Sequence, residues 1–295
     1  MLWVTLELNM LRFLPIMSSE GGLALENTIK YFLVQRWASI VFLIGFFFSI
    51  IFWNTIIYIC LIGILLKLGA SPLHGWFVSI IKTCSLWVLV LLSRVQKIIP
   101  LLIMSNFFIR LYIFIFFSIR TFFIVIISLP GSINLNKILA LSSMSNLIWF
   151  LVCTQLNIKL LTIFISIYIL LLVGVLLIYN KNIYRLFIQI NRIVFMDKIM
   201  IIFVFISLGG LPPLLGFLGK LLVLKNILIY INIVFLFSLI YTSLIVLYHY
   251  LSRIFFLITY TPILKYSNKI VTLRWKKIIY ILSVISFNLF IILPF

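Results

Sequence analysis

The segment LKLGASPLHGWF, residues 66–77, sets Lys67 directly ahead of Gly69-Ala70-Ser71-Pro72 inside a run of otherwise apolar residues. Proline removes a backbone donor and clashes with the preceding turn, so a helix over 54–82 is predicted to break here. In lipid such a break survives only where protein or a water-filled cavity satisfies the freed backbone groups. A second segment of the same kind, LGGLPPLLGFLGK at 208–220, breaks a helix predicted over 198–228 at Gly209-Gly210-Leu211-Pro212-Pro213, with Lys220 just beyond.

The solvent around these helices follows from composition. Of 295 residues, 65% are hydrophobic and only 9% are charged, and the mean hydropathy is +1.36. A soluble domain carries about 25% charged residues, and a water-soluble fold of this size could not hide so much apolar surface. Lipid must be the solvent. Apolar runs long enough to span it follow one another along the chain. Short alternating segments, the mark of a β-barrel, are absent, and a lone signal peptide is excluded because hydrophobicity continues throughout.

Ten transmembrane helices are predicted, near 1–17, 27–52, 54–82, 85–108, 111–129, 136–154, 158–180, 198–228, 230–257 and 276–294. The fold class is therefore an all-α polytopic membrane protein with two broken helices. Lys82, Lys137, the cluster Lys181, Arg185, Arg192 and Lys198, and the cluster Lys265, Lys269, Arg274, Lys276 and Lys277 all fall in or beside loops after odd-numbered helices. Loops after even-numbered helices have only Arg110 and Lys159 nearby. The positive-inside rule places the first set on the side where the chain is made. The two broken helices then run in opposite directions. Paired broken helices in inverted halves point to a transporter architecture, and the span from Pro72 to Pro212 leaves room for a five-helix repeat. Two unrelated kinks fit the same spacing equally well.

The formal net charge is +19, from 23 basic residues against four acids. The cations are scattered among apolar helices and form no basic domain, so nucleic acid is not an expected partner. Cys60, Cys84 and Cys153 lie far apart in apolar stretches, without metal or disulfide spacing. No nucleotide loop, iron–sulfur motif or nucleophile–base set is present.

Charge in mid-membrane costs about 2.5–3.5 kcal/mol on insertion scales, so each instance needs a reason. Glu7, Lys67, Lys97 and Lys220 all sit within predicted helices. A lysine taken out of water becomes able to release its proton near neutral pH, and a nearby carboxylate opposes that release. Such pairs can relay protons. Lys30, Lys159 and Lys225 lie near helix ends, where snorkelling to the headgroups suffices. His74 follows the first break, where it either passes protons or caps freed carbonyls; the relay role is preferred. His249 is read as structural, Lys137 as interfacial or functional, and Asp197 and Glu20 are given no role.

LKLGASPLHGWF (66–77), RVQKIIPLLI (94–103), NKILALSSMSNLIW (136–149) and LGGLPPLLGFLGK (208–220), in that order, resemble the second-subunit family of mitochondrial NADH–ubiquinone oxidoreductase, respiratory complex I. LELNMLRFLP (6–15) and SSEGGLALENTIKYFLVQ (18–35) are similar too, so the resemblance covers nearly the whole chain. It implies an antiporter-like fold with inverted five-helix repeats. Here these are an incomplete first repeat at 1–108, a second at 109–257, and a loop and last helix at 258–295, all in one membrane domain. It also implies proton translocation along Glu7, Lys67, His74, Lys97 and Lys220, driven by electron transfer elsewhere in the complex. NADH, FMN, iron–sulfur clusters and ubiquinone are expected on other subunits, with no cofactor or metal on this chain. Expected partners are other complex I membrane subunits, including a neighbouring antiporter-like one, and lipids such as cardiolipin. The expected location is the mitochondrial inner membrane, with the gene in the organelle. A stand-alone cation/proton antiporter subunit of the same fold is the alternative.

Three departures stand out. The glutamate arrives only seven residues into the sequence, so the helix that normally precedes it is expected either from a separate polypeptide or not at all. Val78-Ser79 replaces the proline–acid pair expected after the first break. Arg94 lies three residues before Lys97 on the same helical face, where it either repels the ammonium or reaches a lipid headgroup.

Overall fold

The computed structural model describes residues 2–19, 22–51, 57–106, 111–132, 134–179, 195–212, 214–227 and 233–259. The predicted helix at 276–294, both basic clusters apart from Lys198, and Glu20, Arg110 and Pro213 lie outside the described residues.

The described residues form twelve α-helices and no strands. The first unit comprises residues 1–132 and 136–161. Its helices begin with α1 (Leu2–Ser18), α2 (Gly22–Ile51) and α3 (Ile57–Leu68), followed by α4 (Gly75–Thr83) and α5 (Leu86–Ser93). They continue with α6 (Val95–Met104), α7 (Leu111–Ser128) and α8 (Leu135–Leu156). The second unit, 133–135 and 162–295, holds most of α9 (Ile158–Tyr179), then α10 (Phe195–Gly209), α11 (Leu215–Ile227) and α12 (Ile233–Thr259). Among the described residues, five stretches are long and apolar enough to cross a membrane: Ala24–Phe48, Leu86–Met104, Leu135–Leu156, Ile158–Leu176 and Phe235–Phe255. Large apolar side chains such as Trp37, Phe47, Ile127, Phe237 and Phe255 stand exposed, as lipid-facing groups do.

Both predicted breaks are present, and they close with the same backbone device. After α3 the chain turns at Gly69, whose φ of 65° is left-handed. The Gly69 amide bonds to Leu66 O at 3.1 Å and the Ala70 amide to Leu65 O at 3.0 Å. After α10, Gly210 has φ 83°, its amide bonds to Ser207 O at 3.1 Å, and the Leu211 amide bonds to Ile206 O at 3.4 Å. Each set is a Schellman closure, in which glycine supplies the left-handed residue and two orphan carbonyls gain donors. A third interruption was not predicted. The helix expected over 85–108 is divided at Arg94 (φ −125°, ψ −72°) into α5 and α6. There the Arg94 and Lys97 amides bond to carbonyls three residues back, the tighter 3₁₀ pattern.

Packing in the first unit depends on small residues. α2 and α3 run antiparallel, with Gly45 against Cys60 and Gly63 against Ala38 and Phe42; a Cβ on either glycine would come within 3 Å of the facing backbone. Small residues allow this close approach in membranes. Polar groups on α8 are satisfied within their own helix: Ser142, Ser143, Ser145 and Thr154 each donate to the carbonyl three residues earlier. Asn136, at the head of α8, donates from Nδ2 to Cys84 O at 2.8 Å, where α4 ends. Asn27 on α2 donates to Thr83 Oγ1 at 2.9 Å. Asn136→Ala removes one buried donor, so a loss of about 0.5–1.5 kcal/mol is expected. It would read out as a modestly lower thermal midpoint of the assembled protein, with assembly retained.

Candidate functional site

The sequence-predicted lysines divide by burial. Lys67, Lys97 and Lys220 are 7%, 4% and 6% exposed, whereas Lys30, Lys159 and Lys225 are exposed. Lys30 forms an ion pair with Glu26 one turn away on α2.

The first break places Lys67 in the last turn of α3, where a cation complements the helix dipole. The carbonyls there are covered from the side: Trp76 Nε1 donates to Leu66 O at 3.2 Å, and Gln35 Nε2 donates to Lys67 O at 3.4 Å. This is how protein replaces the hydrogen bonds that lipid cannot offer. Lys97 lies on α6 with Nζ 4.4 Å from the centre of the Phe77 ring, a cation–π contact.

Lys67 and Lys97 line one pocket together with Tyr31, Gln35, Trp76 and Gln96. About 10 Å³ of it is open to the centre of a water molecule, room for roughly one water. Its polar wall is ordered. Tyr31 Oη donates to Gln96 Oε1 at 3.1 Å, and Gln96 Nε2 donates to Asn9 O at 3.3 Å. Tyr31 is itself wedged by ring contacts with Phe13 at 5.3 Å and Trp76 at 6.1 Å.

Glu7 on α1 is buried at 7% exposure, and Lys67 lies within its electrostatic reach. The close ion pair of Glu7, however, is with Arg36 of α2, at 3.3 Å from Nη1 to Oε2. His74 is only half-buried at the head of α4; its Nδ1 lies 3.1 Å from Pro72 O, and it does not line the pocket. At the second break Lys220 Nζ donates to Gly209 O at 3.1 Å, the last carbonyl of α10. A Cβ on Gly210 would lie 2.9 Å from that Nζ, so the glycine also makes room for the ammonium. Among the described residues no three metal-ligating side chains come together.

Arg36, Tyr31, Gln35 and Gln96 do not stand out in the sequence as the lysines do. Yet the rule that identifies the lysines, charge in the middle of an apolar helix, marks Arg36 as well. Tyr31 and Gln35 share one face of α2 by their spacing of four, but nothing local says what that face meets.

By fold and site this is an all-α polytopic membrane protein with cations buried at two interrupted helices. Residues 52–247 match the family described as NADH:quinone oxidoreductase/Mrp antiporter, transmembrane. A protein named NADH-ubiquinone oxidoreductase chain 2 from Anopheles gambiae is 34% identical, over 84% of this chain and 76% of its own. One of the same name from Artemia franciscana is 36% identical, over 74% and 70%. Among solved structures, a chain of respiratory complex I from Thermus thermophilus superposes with a TM-score of 0.82 at 17% identity, covering 98% of this chain and 72% of that one. A chain of the membrane-bound sulfane sulfur reductase, an archaeal respiratory membrane complex, gives 0.73 at 14%, covering 98% and 67%. The chain belongs to the NADH:quinone oxidoreductase/Mrp antiporter family.

Proposed function

We propose that this chain is a proton-translocating membrane-arm subunit of respiratory complex I, driven by NADH:ubiquinone electron transfer on other subunits. The observation that carries the reading is the pocket lined by both Lys67 and Lys97, two buried lysines, with room for about one water. Neither lysine is needed there for packing, because each could be apolar at lower cost. The names of the relatives supply the rest. They favour a complex I subunit over a stand-alone antiporter.

In this reading Glu7 sets the charge state of Lys67, and a pocket water carries the proton from Lys67 toward Lys97. Lys220, held on the open carbonyl end of α10, serves a second half-channel in the other repeat. His74 takes up or releases protons at the exposed end of α4. NADH, FMN, the iron–sulfur clusters and ubiquinone belong to other subunits. The neighbours are further complex I membrane subunits, one of them antiporter-like, with cardiolipin-type lipids around them. The setting is the mitochondrial inner membrane.

The test is Lys67→Met in the assembled complex. Protons moved per NADH oxidised are expected to fall by the share that this subunit carries, because a positioned proton-transfer group contributes about 10²–10⁴-fold to the rate of its transfer. An unchanged proton yield at equal complex content would remove the proposal.

A further inference from the structure

Arg36 is a mid-helix charge that the proton path leaves unexplained. It stands in the middle of α2, fourteen helical residues from the start and fifteen from the end. A charge at that depth costs about 2.5–3.5 kcal/mol on insertion scales. Its side chain is 43% exposed, and its guanidinium lies 5.3 Å from the centre of the Phe32 ring one turn back. Snorkelling from mid-helix would have to cross two or more turns. What the guanidinium reaches instead is Glu7 Oε2, at 3.3 Å, on a side chain only 9% exposed.

Lys67 feels both of these charges, Glu7 and Arg36, and among the described residues its Nζ makes no hydrogen bond. Three charges therefore share one neighbourhood, two positive and one negative. Among the described residues the carboxylate is paired with Arg36 alone, through Oε2, and Lys67 Nζ makes no bond to it. The two cations differ in kind, because guanidinium is permanently charged whereas ammonium can give up its proton.

We propose that Arg36 is a positioning residue that competes with Lys67 for the Glu7 carboxylate, so that Glu7 alternates between the two cations. This rests on the reading of Glu7 and Lys67 as a proton-handling pair. With Glu7 on Arg36, as in the structure, Lys67 is a buried ammonium without its counterion, ready to pass its proton from Nζ to a pocket water. With Glu7 on Lys67, the ammonium is held. Arg36 serves as the fixed alternative seat that lets the carboxylate leave without becoming a lone buried anion, a state far costlier than the pair.

The test compares Arg36→Gln, Arg36→Lys, Glu7→Gln and the double variant Glu7→Gln/Arg36→Gln in the assembled complex, in sealed vesicles at matched complex content. The readout is protons moved per NADH oxidised. Arg36→Gln is expected to lose most of the proton yield that Lys67→Met loses. Arg36→Lys is expected to restore most of it, and in the Glu7→Gln background Arg36→Gln should add nothing. An unchanged yield in Arg36→Gln, or the same fractional loss with and without Glu7, would overturn the proposal. If Arg36→Gln does not assemble, the double variant removes both charges together and is compared with Glu7→Gln alone: equal yields support the competition, and a lower yield in the double variant overturns it. Lys67→Met separates the two levels. If it pumps normally the proton path itself fails, whereas if it is inactive and Arg36→Gln is not, only the role of Arg36 fails.

Discussion

Lys97→Met is expected to abolish proton movement through this subunit while it still folds and assembles. Lys97 is 4% exposed, and its Nζ contact is the face of Phe77 at 4.4 Å. Methionine matches the length of the lysine stem and packs well against an aromatic ring. Replacing a buried charge by an apolar side chain of similar volume is often neutral or even stabilising. Assembly should therefore survive, and the loss should fall on function, as a drop in protons per NADH oxidised by the share that this subunit carries. Lys97→Arg sharpens the result. Arginine keeps the positive charge beside Phe77 but cannot release a proton. If the lysine carries protons, both variants pump poorly. If its charge only shapes the local field, Lys97→Arg pumps normally and the relay assignment is wrong.

The lysines were legible in the sequence because membrane burial makes every ionisable residue conspicuous. The breaks were legible for a related reason. Glycine and proline together weaken a helix from within, whatever it packs against, and at both places a left-handed glycine closes the helix. The division at Arg94 was not legible. Pro100 lies more than a turn further on, within α6, and the residue that departs from helical geometry carries no breaker signature. The Glu7–Arg36 pair was hidden differently. Each charge was visible alone, but their meeting depends on the angle at which α1 packs on α2, and local sequence does not encode that angle. The pocket wall of Tyr31 and Gln96 has the same cause. Its hydrogen bond joins residues 65 positions apart, so only the assembled helices create it.

The second break makes the sharpest structural prediction. Gly216, near the start of α11, lies so close to α10 that a Cβ would come 1.8 Å from Ser207 O and 2.9 Å from Ser207 C. The obstacle is backbone, and the Ser207 carbonyl is not free to swing, because it accepts the Gly210 amide in the closure of α10. Gly216→Ala must therefore either push α11 away from α10 or unwind the last turn of α10. Both movements disturb Gly209 O, which holds Lys220 Nζ at 3.1 Å. Overpacking costs about 1–3 kcal/mol where side chains can yield, and more where they cannot. The expected outcome is little or no assembled subunit, and a clearly lower thermal midpoint in whatever accumulates. Gly75→Ala provides the contrast. Its Cβ would meet nothing within 4 Å, and an alanine in a helical position gains about 0.4–1 kcal/mol by restricting the unfolded chain. One methyl group thus has opposite expected signs at two helix starts, each just beyond a break. Equal complex content and equal midpoints for the two variants would mean that α10 and α11 do not meet at Gly216, and the seat of Lys220 at the second break would have to be redrawn.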